Sequence, residues 1–394
     1  MEVKTKTVHL ACAHKSNDSR ILVKECCSLA KAGYEVVYYT SINSYVNEPE
    51  NDLVKIKFHS LDIRGMALNR QVVQSIIARK ENRKKIIQIV EQEKPDVLHI
   101  HEMELMYMAG KIKKKFPHIQ ILYDVHEDNA EQYACDLRKV FGKKIGNLFK
   151  SIIEKFDMHY VSQADGVITV TPYLLKKLSN YNTNIIEIRN MPSDIEESKS
   201  NISGREAMVC YCGGVTEERG ISTLFAIAPD VRGQIFIAGP LSAHYSDVLK
   251  TRYPNIWGGK VQYLGYLDRE NVNELYSHAV AGMCTLKYNK NIYNAFPIKL
   301  FEYMAAGIPV ICSDFPLWKK IIEEERCGIT VDPEDEKEIL RAINLLLDNR
   351  EMAQQMADRG KKAVQDKYNW KLEEKKLLKF YQNFKGFSSQ QGCR

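Results

Sequence analysis

Short runs of apolar residues alternate with amphipathic helical patterns along the first half of the chain. The apolar runs predict strands at 8–13, 35–41, 96–101, 119–127 and 166–171. The stretches between them have helical spacing at 20–34, 76–92 and 103–116, and a further helix begins at 172–178. Strands that are apolar on both faces and are separated by helices form parallel sheets covered on both sides. The pattern therefore predicts an α/β domain.

The second half of the chain repeats this alternation. Strands are predicted at 207–214, 234–239, 261–266, 282–286, 308–314 and 328–331. Helices are predicted at 219–228 and 297–307, and three more helical stretches close the chain. A polar segment rich in Ser, Glu and Gly, residues 193–206, separates the two halves and is typical of a linker.

The chain is thus expected to form two Rossmann-like, parallel-sheet domains that face a central cleft. The first would span 1–195 and the second 206–370, and a final helix at about 370–385 could return to the first domain. Ligands of open parallel sheets bind beyond the carboxyl ends of the strands. Candidate site residues are therefore expected in the segments that follow the strands.

Composition narrows the class of protein. Of 394 residues, 44% are hydrophobic and 27% are charged, and the net charge is +6. This balance is typical of a globular protein and is too weakly basic to indicate a nucleic-acid partner. No stretch approaches the ~18 apolar residues of a membrane span, and the N-terminus has no signal-peptide pattern. Most of the ten cysteines lie in apolar runs, as free thiols do in reducing compartments, so a cytoplasmic location is predicted.

The segment NAFPIKLFEYMAAGIPVICSD, residues 294–314, carries the most specific pattern. Pro297 fits the first turn of a helix, and Glu302 lies among apolar neighbours on that helix. An ionised carboxylate only accepts hydrogen bonds and can take two from vicinal hydroxyls, such as those of a ribose. Without a ligand role, Glu302 would be a solvated helix carboxylate or the partner of Lys299, three residues earlier.

The segment YCGGVTEERGI, residues 211–221, joins a strand to a helix through Gly213 and Gly214. Glycines let the backbone approach a phosphate closely, and a helix N-terminus offers free N–H groups and a positive dipole end. Arg219, expected in the first helical turn, would add a fixed positive charge with forked donors. The alternative is an ordinary tight turn in which Arg219 pairs with a neighbouring glutamate.

Together these two segments resemble the donor-binding half of the family 4 glycosyltransferases, retaining enzymes with the GT-B fold. The N-terminal half is similar to the same family in NDSRILVKECCSLAKAGYEV, PDVLHIHEMEL, YDVHED and ADGVITVTPYLLKKL. The resemblance covers roughly residues 6 to 385. The chain as a whole is similar to the members that build bacterial surface polysaccharides.

The resemblance implies a donor-binding role for residues of both segments. The matched residues are Gly213, Gly214, Arg219, Pro297, Lys299 and Glu302. Glu302 corresponds to the acid that binds the donor ribose in this family. Arg219 corresponds to a basic residue that neutralises the donor diphosphate, beside the loop formed by the two glycines.

The resemblance also implies three catalytic residues, Arg219, His126 and Asn294. His126, in YDVHE at the end of a strand, resembles a histidine near the transferred sugar; its alternative is a loop histidine bonded to Asp124 or Glu127. Asn294 stands where the family has the first acid of its E-x7-E motif. An amide both donates and accepts hydrogen bonds, so it could bind a sugar hydroxyl, while the charge-stabilising role proposed for that acid is open here.

The segment 138–156 combines an apolar stripe with basic residues. The stripe has helical spacing and consists of Phe141, Ile145, Leu148, Ile152 and Phe156. The basic residues are Arg138, Lys139, Lys143, Lys144, Lys150 and Lys155, against a single acid, Glu154. A basic amphipathic helix can lie on an anionic membrane surface. The alternative is a helix whose stripe is buried in the core and whose lysines are solvated.

The expected activity is transfer of a sugar, with retention, from a UDP- or GDP-sugar to a glycan or lipid-linked acceptor. No aspartate-rich or Cys/His ligand spacing is present, so neither a metal nor another cofactor is expected. Two alternatives are a nucleotide-sugar epimerase of the same fold and a non-catalytic nucleotide-sugar-binding module. Lipid binding by 138–156 would place the protein at the inner face of the cell membrane.

Overall fold

The computed structural model describes residues 4–41, 52–61, 72–193 and 201–384. The chain divides into two compact units, one formed by residues up to Asn190 together with those from Lys371, the other by Met191–Trp370. Part of the predicted linker, 194–200, lies outside the described residues. Each unit has its own parallel sheet and its own buried core.

The first unit is built on a seven-stranded parallel sheet. Its strands are β1 Lys6–Leu10, β2 Glu35–Ser41, β3 Lys55–His59, β4 Val97–Ile100, β5 Gln120–Val125, β6 Gly166–Thr169 and β7 Ile185–Glu187. The spatial order is β3-β2-β1-β4-β5-β6-β7. The winding direction therefore reverses between β1 and β4, and such a reversal opens a crevice at the carboxyl ends of the strands.

Helices of the first unit connect these strands. A π-helix, Ser19–Cys26, leads into α1, Cys27–Lys31. Asp18 caps the π-helix, since its side chain accepts hydrogen bonds from the backbone amides of Arg20 and Ile21. The helices that follow are α2 Val72–Glu93, α3 Met103–Met106, α4 Ala109–Lys115, α5 Asn129–Phe141, α6 Lys143–Gln163 and α7 Pro172–Leu178.

The second unit repeats the architecture on a six-stranded parallel sheet. Its strands are β8 Met208–Cys212, β9 Gln234–Ala238, β10 Val261–Tyr263, β11 Ala281–Cys284, β12 Val310–Ser313 and β13 Gly328–Val331, in the order β10-β9-β8-β11-β12-β13. Its helices are α8 Ile221–Ile227, α9 Ala243–Arg252, α10 Arg269–His278, α11 Lys290–Tyr293, α12 Ile298–Ala305, α13 Pro316–Glu325, α14 Glu336–Asp348 and α15 Arg350–Asp366. The 3₁₀ turns Glu217–Arg219 and Ala228–Asp230 flank α8.

The last helix, α16 Trp370–Gln382, packs in the first unit. Tyr381 is fully buried there, and its hydroxyl lies 2.7 Å from Nδ1 of His99 on β4. Near the start of the helix, the buried carboxylate of Glu373 forms an ion pair with Arg189 at 2.6 Å. These contacts tie α16 to the centre and to one end of the first unit.

The predicted fold class, two Rossmann-like parallel sheets with helical connections, is confirmed. Two helices that were predicted to be continuous are interrupted in the structure. The helix predicted at 103–116 is interrupted between Met106 and Ala109. The helix predicted over 138–156 is interrupted at Gly142, whose φ of 81° ends α5 and begins α6. A left-handed residue cannot continue a helix, so the two helices fold back against each other.

Two strands of the first sheet were not predicted. β3 has the sequence KIKFH and β7 has only three residues, and most of their side chains are at most partly buried. Both are edge strands, which pair on one side only and do not need a continuous apolar run. Their sequences therefore lack the signal that identifies the central strands. Across the described ranges, none of the helices combines the length and the apolar character that a bilayer span requires.

Candidate functional site

The turn after β8 brings the backbone close to a lysine of α12. Gly213 has a φ of 144°, which side chains other than glycine rarely adopt, and a Cβ there would collide with Cε and Nζ of Lys299. The turn is fixed by two hydrogen bonds: the Gly213 amide donates to the Ala238 carbonyl at 2.8 Å, and the Tyr211 hydroxyl donates to the Gly214 carbonyl at 2.8 Å. A glycine at 213 is therefore what admits the Lys299 ammonium to this turn.

Two positive side chains lie at this turn without a carboxylate partner. The Lys299 ammonium is half-buried and lies 5.8 Å from the centre of the Tyr211 ring. Burial lowers the pKa of Lys299, and the nearby charge of Arg219 lowers it further. Within the described ranges, neither Lys299 nor Arg219 forms an ion pair. Adjacent cations repel each other, so an anion placed between them would remove that repulsion.

Arg219 does not lie in the first turn of α8, as the sequence led us to expect. It ends the 3₁₀ turn Glu217–Arg219, and Gly220, with a φ of 74°, separates it from the start of α8 at Ile221. Any Cβ at position 220 would collide with the Thr285 carbonyl oxygen, so this break is enforced by packing. Arg219 is therefore carried by a turn, and the dipole of α8 does not begin at its position.

The carboxylate of Glu217 is engaged elsewhere than with Arg219. It pairs with the Lys287 ammonium and accepts from the Tyr245 hydroxyl, the latter at 2.9 Å. The Gly214 amide has no hydrogen-bond acceptor among the described residues. The turn thus presents a backbone N–H without an acceptor, and such a group beside a positive side chain can donate to an anion.

Glu302 lies one helical turn after Lys299 on α12 and pairs with a different residue. Its Oε1 accepts from Nη1 of Arg269, at the start of α10, at 2.9 Å. The two side chains are 24% and 48% exposed, so this is a surface ion pair, a class worth only ~0–1 kcal/mol. The expected alternative, an ion pair between Glu302 and Lys299, is therefore wrong. Because the ion pair with Arg269 is weak, a ligand hydroxyl can compete with Arg269 for Glu302.

The loop before α12 holds the other two predicted residues of this segment. Pro297 is the N-cap residue of α12, one position before the first helical residue. Asn294 is half-buried between α11 and α12, and its side chain has no hydrogen bond to any described residue. The loop is anchored next to Asn294, where the Trp318 indole donates to the Ala295 carbonyl at 2.7 Å.

In the first unit, His126 follows β5 directly and is held by two neighbours. Its Nε2 lies 3.2 Å from Oδ2 of Asp124 and 3.4 Å from Nδ1 of His101. Its ring lies 4.8 Å from the ring of His14, and its side chain is 18% exposed. The contact with Asp124, which the sequence offered as an alternative to a functional role, is therefore formed. It orients the His126 ring and leaves it partly accessible to solvent.

Asp124 is the fully buried carboxylate that orients His126. Nη2 of Arg20 donates to both its oxygens, at 3.1 and 3.2 Å, and Nε donates to Oδ2 at 3.3 Å. Burial alone would raise the pKa of Asp124, but the charges of Arg20 and His126 hold it well below its ordinary value. Asp124 therefore stays ionised and accepts hydrogen bonds at neutral pH.

Glu102 fixes the loop that follows β1. Its carboxylate accepts from the amides of Cys12 and Ala13, each at 3.0 Å, and pairs with Nδ1 of His14 at 2.7 Å. The hydrogen bond from His14 lowers the pKa of Glu102 against the raising effect of burial. The loop thereby places His14 beside His126.

Apart from Asp124, sequence reasoning did not identify the residues that surround His126. The missed residues are His14, Arg20, His101 and Glu102. A signal was present, because β4 ends in His-x-His-Glu and β5 in Asp-x-His, and neighbouring parallel strands bring their carboxyl ends together.

Two groups of described side chains have ligand atoms close enough to share a metal ion. His101, Asp124 and His126 form one group, and His9, Glu25, His99 and His101 form the other, with all ligand atoms of each group within 4.8 Å. In the first group, Asp124 is already occupied by Arg20. In the second group, both oxygens of Glu25 and one nitrogen of His99 have no hydrogen-bond partner.

The chain matches two protein families. Residues 192–363 match the family described as glycosyl transferases group 1, and residues 20–190 match the family described as glycosyltransferase family 4. An uncharacterized glycosyltransferase of Methanocaldococcus jannaschii is 24% identical over 327 residues, which cover 76% of this chain and 78% of the relative.

Solved structures share the fold. Sucrose-phosphate synthase from Thermosynechococcus elongatus superposes with a TM-score of 0.75 at 16% identity, over 96% of this chain and 99% of the other. HepE of Anabaena, in complex with UDP, superposes with a TM-score of 0.69 at 13% identity, over 96% and 100% of the two chains. HepE has also been solved with UDP-glucose. The two family matches and the two parallel-sheet units together show that the chain is a family 4 glycosyltransferase with the GT-B fold.

Proposed function

We propose that the protein is a retaining glycosyltransferase that takes its sugar from a nucleoside diphosphate donor. The observation that carries this proposal is the pair of unpartnered cations, Arg219 and Lys299, at the Gly213 turn. A diphosphate supplies the negative charge that this turn lacks. HepE, which has the same fold, was solved with UDP and with UDP-glucose, and this favours a UDP-sugar over a GDP-sugar.

The proposed binding mode places the donor along α12 and the turn after β8. The diphosphate lies against Arg219, Lys299 and the free amide of Gly214. Glu302, one helical turn beyond Lys299, accepts from the two ribose hydroxyls and exchanges its bond to Arg269 for them. Pro297 fixes the start of α12 and therefore the position of both side chains.

In the proposed transfer, the bond between the sugar and the diphosphate breaks as negative charge develops on the leaving oxygen. Arg219 and Lys299 stabilise that charge, and their interaction strengthens as the bond breaks, which lowers the barrier. The acceptor hydroxyl attacks from the face that the diphosphate leaves and gives its proton to the leaving phosphate oxygen, so the anomeric configuration is retained. No metal is needed in this step because the two side chains provide the positive charge.

Two further residues are proposed to bind hydroxyl groups of the substrates. Asn294 is half-buried beside α12, and its amide is free to bond a hydroxyl of the donor sugar. In the first unit, His126 is oriented by the ionised Asp124, and its exposed edge can bind a hydroxyl group of the acceptor. The proposed acceptor is a glycan, carried on a lipid of the cell membrane.

The surface of α6 supports a lipid-linked acceptor. Ile145, Leu148, Ile152 and Phe156 are 42–63% exposed, and Phe141, at the end of α5, is 42% exposed. The stripe therefore does not form part of the core, which excludes the alternative of a buried stripe. The opposite side of α6 is the one that packs inward, through Met158 and Val161 among others.

Basic residues accompany this exposed stripe. Lys144 and Lys155 are exposed and lie three or four positions from stripe residues, so they flank the stripe on the helix. Lys150 instead pairs with Glu131 on α5, and the side chain of Lys139 lies outside the described residues. Apolar side chains beside lysines match the interface of an anionic bilayer, so we propose that α6 docks the protein on the inner face of the cell membrane.

Replacing Gly213 by alanine should weaken nucleotide binding, because the new Cβ displaces Lys299. Gly214 is the matched control: a Cβ there meets nothing within 4 Å, and alanine keeps the backbone amide. Calorimetry with UDP and GDP should show a loss of affinity for Gly213→Ala and near-normal affinity for Gly214→Ala. Wild-type affinity in Gly213→Ala would mean that the turn does not bind the diphosphate.

Arg219→Ala should lower kcat by ~100-fold or more, with a much smaller change in KM for the donor, since its bond strengthens as charge develops. Arg219→Lys should recover part of the rate because the charge is kept. Steady-state kinetics of both variants test the role of Arg219. Carrying out the assays in chelator, with product analysis, tests whether the transfer proceeds without a metal. Arg232→Ala, which removes an exposed arginine paired with Asp348, is the control and should leave kcat unchanged. A normal kcat in Arg219→Ala removes this residue from the mechanism.

Glu302→Ala should weaken nucleotide binding by ~1.5–3 kcal/mol, the value of lost hydrogen bonds to a charged group. Arg269→Ala removes the same ion pair but leaves the carboxylate for the ribose, so it should bind the nucleotide at least as well as the wild type. Calorimetry on both variants separates the two roles. If the two variants lose affinity equally, the ion pair matters and the carboxylate does not contact the ribose.

Leu148→Glu with Phe156→Glu, or Lys144→Glu with Lys155→Glu, should reduce cosedimentation with phosphatidylglycerol vesicles. The first pair removes apolar insertion and the second reverses the charge that attracts the lipid. Lys319→Glu with Lys320→Glu is the control, since these exposed lysines lie on α13 of the other unit. Unchanged cosedimentation of both α6 variants would show that α6 is not the membrane contact.

A further inference from the structure

Three buried histidines form a cluster on one face of the first sheet. His9 on β1 and His99 on β4 lie opposite each other in the parallel ladder, and His101 follows His99 by two residues, which places it on the same face. All three are at most 2% exposed, and their ring centres lie 4.4–5.2 Å apart. Burial lowers the pKa of each of the three imidazoles.

Glu25 joins this cluster from the π-helix. Its carboxylate is completely buried, and neither oxygen has a hydrogen-bond partner. Nη2 of Arg20 forms an ion pair with Oε1 of Glu25 at 3.0 Å, while the hydrogen bonds of Arg20 go to Asp124 and to the Ile188 carbonyl, so Glu25 shares this one cation with Asp124. A buried carboxylate without hydrogen bonds is costly unless another group compensates it. π-helical turns are frequent at functional sites, and this one carries Glu25.

In His99 and His101, the Nδ1 atom lies next to a polar group outside the cluster, whereas the Nε2 atom does not. Nδ1 of His99 is bonded to the Tyr381 hydroxyl at 2.7 Å, and Nδ1 of His101 lies 3.5 Å from Oδ2 of Asp124. Nε2 of His99 is buried with no partner, and Nε2 of His101 lies 3.0 Å from Nδ1 of His9. Metal-binding histidines are held in this way, with the nitrogen that does not bind the metal fixed by a carboxylate or another acceptor.

We propose that His9, Glu25, His99 and His101 bind a zinc ion in the core of the first unit. Three imidazole nitrogens and one carboxylate oxygen are ligands that zinc accepts in a tetrahedral site. In such a site the ligand atoms lie about 3.4 Å apart, given bonds of ~2.0–2.2 Å. The four candidate ligand atoms here all lie within 4.8 Å of one another, so small side-chain rotations complete the geometry.

The proposed ion is structural. Four protein ligands fill the tetrahedron and leave no position for a substrate, which is the arrangement of structural zinc sites. The site belongs to the sheet core, and its role is to satisfy Glu25 and the free nitrogen of His99 while linking the π-helix to β1 and β4. It is therefore independent of the metal-free transfer step proposed for Arg219 and Lys299. A buried water molecule is the other occupant that could bridge these groups.

The test uses the full chain, and its first measurement needs no variant. The purified protein is dialysed against EDTA and its metals are measured by elemental analysis; one zinc per chain is expected to remain, because the site is buried. The protein is then unfolded in denaturant with chelator and refolded with or without zinc, and zinc is expected to raise the Tm. Refolding with cobalt should give the intense visible absorption of a tetrahedral site.

Variants assign the ion to this cluster. Glu25→Gln and His99→Gln should each retain less than one zinc per chain, whereas His59→Gln should retain it. His59 is a matched control, a buried histidine that is bonded to the Ala11 carbonyl and lies outside the cluster. Retention of zinc in both cluster variants would place the ion elsewhere and overturn the assignment. If either variant fails to fold, the cobalt spectrum of the wild type decides whether the ligands are tetrahedral nitrogen and oxygen.

A second result would overturn the proposal directly. The proposal is wrong if the wild-type protein holds no stoichiometric zinc and its Tm after refolding is the same with and without zinc. Neither measurement depends on glycosyl transfer, so the outcome is independent of the proposed activity.

Discussion

A completely buried ion pair between Arg20 and Asp124 holds the carboxyl edge of the first sheet together. The guanidinium comes from the π-helix and the carboxylate from β5, and Nη1 of Arg20 also donates to the Ile188 carbonyl beyond β7. Removing one partner of such a pair leaves an unpaired buried charge, at a cost of ~3–5 kcal/mol. The position of the π-helix, and with it Glu25, and the orientation of His126 both follow from this pair. A structural element and a candidate catalytic histidine thus depend on the same carboxylate.

In the second unit, the corresponding constraint is the close approach of α12 to the sheet. Gly213 and Gly282 each stand where a Cβ would collide with α12, the first with Lys299 and the second with the ring of Tyr303. The Tyr303 hydroxyl in turn accepts from the Cys212 amide at the end of β8. Because α12 is fixed against the strands in this way, its polar side chains are held beside the turn after β8. Two glycines thereby position a lysine and a glutamate.

Several features were readable from the sequence because they depend on local patterns. The central strands are continuous apolar runs, and Glu302 and Lys299 share one short helix that begins after a proline. Their partners were not readable, since Arg269 reaches Glu302 from a helix about thirty residues earlier. The residues around His126 come from β1, β4, β5 and the π-helix, so finding them requires the strand order. The break at Gly142 was missed because the apolar periodicity continues across it.

The return of α16 to the first unit has a consequence for the order in which the protein is assembled during synthesis. The first unit is discontinuous in sequence, whereas the second is one uninterrupted segment, Met191–Trp370. On the ribosome, the second unit can fold as soon as it emerges, but the first cannot bury Tyr381 until all of the second has been translated. Until then the hydroxyl that bonds His99 is missing, and that side of the first sheet stays open to solvent. The nascent chain therefore passes through a stage in which the histidine cluster is accessible and the second unit is already folded.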